Sequence, residues 1–154
     1  MKSVVIENPV INSAFKEPQR HFRFTEEGIT DEIVEARRSS AYFIPIAPPK
    51  KKGKQGQLAF DTEWTHDRIK ENKFINRVRE RVSIWRAGDY VGVTRTTNRL
   101  LDYWNNPDRE KKLFFCQVEA LETLIYLTEV AGKYGDAWIE NELRQANETT
   151  NRQL

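Results

Sequence analysis

Hydrophobic and polar positions follow two different rhythms along this chain. From residue 1 to about 63 the chain is punctuated by proline and reads as extended. The segment HFRFTEEGITDEIVEARR predicts a hairpin, with Phe22 and Phe24 on one arm and Ile29 to Ile33 on the other. Glu26-Glu27-Gly28 supplies its turn, because glycine accepts positive φ. AYFIPI is a short apolar strand, kept to an edge or an end by Pro45, since proline cannot donate to a ladder. The stretch APPKKKGKQGQ then predicts a solvated basic loop.

From residue 64 onward the rhythm is helical. Ile69, Phe74, Ile75, Val78, Val82 and Trp85 share one face of a helix over 67–86 that stops before Gly88. Thr94 or Thr96 caps a short helix through NRLLDYW, with Leu100 and Trp104 on one side. Asn106 as cap, Pro107 at the first helical position and Asp108 and Glu110 behind it predict a long helix running to Gly132. On that helix Leu113, Ala120, Leu124, Leu127 and Ala131 form one apolar stripe, and Phe114, Val118, Leu121 and Ile125 form a second. Glu119, Glu122, Tyr126 and Glu129 are left as its polar face. A last amphipathic stretch turns Trp138, Ile139 and Leu143 inward, and ANETTNRQL frays. The expected fold class is α+β, in two segments, 1–63 extended with a hairpin and 64–154 helical, together one domain or an accessory part of a larger protein.

Composition adjusts this picture. The 154 residues are 38% hydrophobic and 31% charged, leaner than most compact domains, yet four Trp, five Tyr and eight Phe argue against disorder. A thin core, or one completed by a neighbour, is expected. A net charge of +2 excludes a strongly basic bulk of the kind that alone signals nucleic acid. The single Cys116 permits no internal disulfide, and no signal peptide or membrane span is evident, so a cytoplasmic protein is expected.

Gln117 is the unusual residue of the long helix, a primary amide within its first apolar stripe. Such a group needs partners or costs about 1–3 kcal/mol. One reading is a core glutamine satisfied by a backbone carbonyl. The other is recognition, because an amide donates and accepts side by side and so matches the N6 and N7 edge of adenine. Phe114 and Phe115 would then offer faces for the base. A second candidate is the basic stripe of Lys70, Lys73, Arg77 and Arg81, suited to a phosphate backbone or simply to solvent, with Glu71 and Glu80 nearby. Arg37 and Arg38 suit either a bidentate anion contact or a structural ion pair.

Other chemistry is not evident. His21 and His66 lack partners at ligand spacing, so no metal site is expected. Cys116 reads as a small core residue, and Trp64 and Trp104 as core aromatics. INSAF and ARRSS lack the glycine elbow that exposes a nucleophilic serine. No catalytic residue is assigned.

Three separated blocks, NPVINSAFKEPQRHF, EARRSSAYFIPI and LFFCQVEALETLIYLTE, occur in this order and are spread from Asn8 to Glu129. Together they resemble the N-terminal segment of the restriction (Res) subunit of type III restriction enzymes and its superfamily 2 helicase relatives. In that superfamily a glutamine upstream of the phosphate loop reads the adenine of ATP, and FFCQVEA matches that element. The resemblance therefore implies Gln117 as adenine reader. Phe114, Phe115 and Cys116 replace the commoner arginine-proline-tyrosine that precedes the glutamine.

A phosphate loop needs G-x-x-x-x-G-K-[ST], and AGKYGD places Tyr134 after Gly132-Lys133. No aspartate-glutamate pair for magnesium is recognisable either. The chain reaches Leu154 about where the family begins its first motor strand. The resemblance thus implies an accessory segment that uses ATP and Mg only together with RecA-like motor domains, in the same or another chain, and needs no cofactor alone. It also implies duplex DNA as a partner, leaves a methyltransferase subunit open, and implies no membrane. The competing expectation is a free-standing, non-enzymatic module that binds DNA through the basic stripe or a protein through its aromatic-rich helices.

Overall fold

A computed structural model of the chain describes residues 5–25, 28–43 and 69–151. The fold is α+β: among the described residues there are two small antiparallel sheets and four α-helices, the helices filling the second half. The chain forms two compact units, the first Met1–Ser13 with Glu17–Asn76, the second Ala14–Lys16 with Arg77–Leu154. The proposed turn pair Glu26-Glu27, Pro45, the 47–57 basic loop, Trp64 and His66 lie outside the described residues.

In the first unit the expected hairpin is present as β1 (His21–Thr25) and β2 (Gly28–Val34). Its register slips between Phe22↔Ile33 and Phe24↔Ile29, so that Thr30–Glu32 lie opposite Arg23 alone. Thr30 secures this bulge: its Oγ1 donates to the Arg23 carbonyl at 3.0 Å and accepts from the Glu32 N–H at 3.3 Å. Asn12 fastens the approach to β1, its Oδ1 accepting from the Gln19 and Arg20 N–H groups and its Nδ2 donating to the Arg20 carbonyl. His21 Nδ1 donates to the Ala36 carbonyl at 2.6 Å.

A second pair, β3 (Ala41–Phe43) with β4 (Ile69–Glu71), corrects the expected helix over 67–86. Ile69 pairs with Phe43 in a strand, and α1 runs only over Lys73–Ala87. Asn72 is the start signal, its Oδ1 accepting from the Ile75 N–H at 3.4 Å. Asn76 then brackets Ser40, accepting from its N–H at 2.8 Å and donating to its carbonyl at 3.2 Å.

The second unit holds every fully buried side chain among the described residues. Val78, Val82 and Trp85 of α1 turn one stripe inward, and α1 stops before Gly88 as expected. Helix α2 (Arg95–Asn105) starts at Thr94, whose Oγ1 accepts from the Thr97 N–H, and buries Leu101. The next helix begins later than the Asn106-Pro107 signal predicts. Asn106 closes a local turn by accepting from the Asp108 N–H at 2.8 Å, and α3 starts only at Phe115 and runs to Ile125. Residues 108–112 are all charged, so a helix there would have no apolar face to pack, and a cap alone does not sustain one.

Beyond Ile125 the helix widens into a π turn (Tyr126–Val130) and tightens into a 3₁₀ turn (Ala131–Lys133). The Ala131 N–H reaches back five residues to the Tyr126 carbonyl. The wide turn keeps Glu122, Tyr126 and Val130, spaced by four, pointing inward together. This inverts the expected polarity. The face read as polar carries buried Glu122 and Tyr126, while Leu124 of the apolar stripe is 60% exposed. Helix α4 (Trp138–Asn151) buries Ile139 but leaves Leu143 exposed, a second correction, and stays helical to Asn151 where fraying was expected.

Candidate functional site

Gln117 lies in the first turn of α3 and is exposed, not buried as its apolar neighbours suggest. Its Oε1 accepts from the Phe114 N–H at 2.9 Å, half of a capping box. That bond orients the amide. Oε1 keeps a second lone pair, and Nε2 makes no hydrogen bond among the described residues, so the donor-acceptor edge is intact. Cys116 is also exposed, correcting its reading as a core residue.

The two candidate stacking rings differ. Phe114 is 49% exposed, with one face against Phe15 at 5.4 Å between centroids. The Ala14 carbonyl accepts from the Phe115 N–H at 2.8 Å, so residues 14–16 brace the start of α3. Phe115 is half-buried with the Arg86 guanidinium over its ring at 5.1 Å. Phe114 is thus the aromatic with accessible surface beside Gln117.

Beneath α3 a buried polar network sets the helix in place. Glu122 is fully buried and accepts from Arg86 Nε at 2.9 and 3.1 Å, from Arg86 Nη2 at 2.6 Å and from the Tyr90 hydroxyl at 2.6 Å. Burial, then the Glu122 hydrogen bond and charge, push the Tyr90 hydroxyl well above its usual range. Tyr90 and Asp89 hold positive φ of 56°, so the turn after α1 is strained to deliver that hydroxyl. Further along, Tyr126 donates to Asp136, and burial first and Asp136 second push its hydroxyl up to about 12. Burial acts to raise the Asp136 carboxyl. Hydrogen bonds from Tyr126 and Trp138 and the charge of Arg81 outweigh it and hold the group low. Glu129 is held low by Thr97 Oγ1 at 2.6 Å and the Thr94 N–H at 2.8 Å.

The four basic candidates fall at different kinds of position. Lys70 is on β4 opposite Tyr42, and Lys73 opens α1. Arg77 lies 3.8 Å from the Trp138 ring centroid and 3.4 Å from Glu142. Arg81 pairs with Asp136 at 3.1 Å. Arg77 and Arg81 line a surface pocket of about 290 Å³ with Glu80, Ile84 and Trp138. Arg37 pairs with Glu17 at 2.9 Å, the structural one of its two readings, and Arg38 lies over Phe24.

Sequence reasoning missed Glu122, Tyr90, Asp136 and Trp138 as organisers of these surfaces. A carboxylate inside an apolar run was the available signal for Glu122. Among the described residues no His, Cys, Asp or Glu group is arranged to hold a metal, and no helix is long and apolar enough to cross a membrane. Comparison of the chain with protein-family models, curated proteins and solved structures finds no match.

Proposed function

We propose that this chain is the N-terminal accessory portion of an ATP-dependent DNA translocase of the type III restriction kind, and that it reads adenine through Gln117. The observation that carries the reading is the amide itself, exposed at the start of α3 and oriented by the Phe114 N–H at 2.9 Å. An adenine reader must be accessible, must keep one acceptor and one donor side by side, and gains from a fixed orientation. Phe114 supplies ring surface next to it.

In this reading the chain supplies base recognition and helps to position duplex DNA. The triphosphate, magnesium and hydrolysis belong to the motor domains, and a methyltransferase subunit and a cytoplasmic setting complete the proposal. The test uses a protein in which this chain acts with its motor domains. Gln117→Glu replaces the donating Nε2 by an acceptor and should weaken ATP affinity by about 5–150-fold, the equivalent of roughly 1–3 kcal/mol. Unchanged ATP affinity would make Gln117 only a helix cap.

A further inference from the structure

We propose that the pocket formed by α1 and the first turn of α4 grips one backbone phosphate of duplex DNA between Arg77 and Arg81, with Trp138 as platform. The inference deepens, and rests on, the part of the functional reading in which the chain positions DNA.

Arg77 and Arg81 are four residues apart on α1 and so project from one face of the helix. Two like charges at this spacing repel by a few tenths of a kcal/mol, and the fold answers with an acid behind each. Glu142 holds Arg77 Nη1 at 3.4 Å, and Asp136 holds Arg81 Nη2 at 3.1 Å. Asp136 is buried, whereas the Arg77 and Arg81 side chains remain 55% and 48% exposed. A guanidinium has five N–H donors, so each arginine keeps donors for a second anion.

Trp138 adds order. Its ring carries the Arg77 guanidinium at 3.8 Å, and its Nε1 donates to Asp136 at 2.9 Å, so one residue organises both arginines. Flat, pre-ordered guanidinium groups match the oxygens of a phosphate and lose little freedom on binding it. The cavity of about 290 Å³ accommodates a phosphate with bridging water. Glu80 also lines it, exposed, and its charge, with those of Glu142 and Asp136 beside the arginines, opposes the ligand. The pocket is therefore a weak, salt-sensitive backbone contact that positions DNA without reading its sequence.

The test is fluorescence anisotropy of a labelled duplex DNA with the full 154-residue chain between 50 and 200 mM salt, on the scale where phosphate contacts are most visible. Arg77→Gln should weaken binding and reduce the salt slope by about 1, and Glu80→Gln should tighten binding by roughly 3–10-fold. Arg81→Lys keeps Asp136 paired, so its weaker binding should come with an unchanged melting temperature. Native affinity in both Arg77→Gln and Glu80→Gln would overturn the proposal and leave the arginines as structural ion pairs. Inorganic phosphate that raises the melting temperature in an Arg77-dependent way, without any Arg77 effect on DNA, would assign the pocket to free phosphate and overturn the backbone contact. No ATP is present in this assay, so its failure leaves the ATP-adenine reading standing, and failure of the Gln117 test leaves this one.

Discussion

The two compact units are held together by different physics. In the first, no described side chain is fully buried, and order comes from backbone ladders and polar brackets such as Asn12, Thr30 and Asn76. The second has a core of Val78, Val82, Trp85, Leu101, Tyr126, Val130, Ala131 and Ile139, and it buries Thr97, Glu122 and Asp136 among them. A bracket of hydrogen bonds exchanges protein for water partners and nets about 1 kcal/mol each. A buried charge pair sets a sharper condition, because removing one partner strands the other. The first unit should therefore yield gradually to substitution and the second abruptly.

The largest effect should come from Glu122→Ala, which leaves Arg86 and the Tyr90 hydroxyl without their acceptor. A loss of about 3–5 kcal/mol is expected in urea unfolding. The double replacement Arg86→Met with Glu122→Leu should recover most of that loss, since a well-packed apolar pair often equals or exceeds a buried ion pair. If the single and double variants are equally destabilised, the network serves more than charge compensation.

Gly92→Ala comes next. Gly92 has φ of +97°, and a Cβ there would meet the Tyr134 ring at 2.9 Å. Tyr134 is exposed and can swing aside, so the backbone strain decides, about 1–3 kcal/mol by thermal unfolding. In the first unit Asn12→Ala removes three contacts to backbone and should cost about 1–2 kcal/mol, visible as faster amide exchange in β1. Arg23→Ala breaks an ion pair whose side chains are 53% and 55% exposed and should shift stability by less than about 1 kcal/mol.

Acidity acts on the second unit at three groups. Asp136 and Glu129 have folded-state carboxyls below their ordinary range, so they contribute stability above about pH 4 and lose it as pH falls through their folded values. Tyr126 works in the opposite direction. Its contribution is complete below about pH 10, the unfolded value, and fades as pH rises towards 12. Urea midpoints should thus fall at both ends of the range. Asp136→Asn should flatten the acid side, and a pH profile identical to the native one would remove Asp136 from this role.

These contrasts also explain what was legible in the sequence. The β1–β2 hairpin, a threonine cap at Thr94 or Thr96 and the stop before Gly88 follow from local chemistry, and local chemistry is what a sequence displays directly. Asn72 and Asn106 are both good caps. Only Asn72 starts a helix, because Phe74, Ile75 and Val78 follow it, whereas Asn106 is followed by charges. The orientation of α3 was hidden for another reason. Its apolar residues occur on nearly every side, so periodicity cannot select a face, and the choice falls to Arg86 and Tyr90, distant in sequence, which give Glu122 a place inside. Exposure of Gln117 follows from that same choice, so the candidate site depends on pairing that no local pattern displays.

The central claim is that the Gln117 amide recognises adenine, and nucleotide discrimination tests it most directly. In the ATP-dependent translocase proposed above, the ratio of ATP to GTP affinity should be high for the native residue. Gln117→Ala should lower that ratio by about 5–150-fold, since a bidentate base contact is worth roughly 1–3 kcal/mol of discrimination. An ATP-to-GTP ratio that survives the substitution intact would contradict the account.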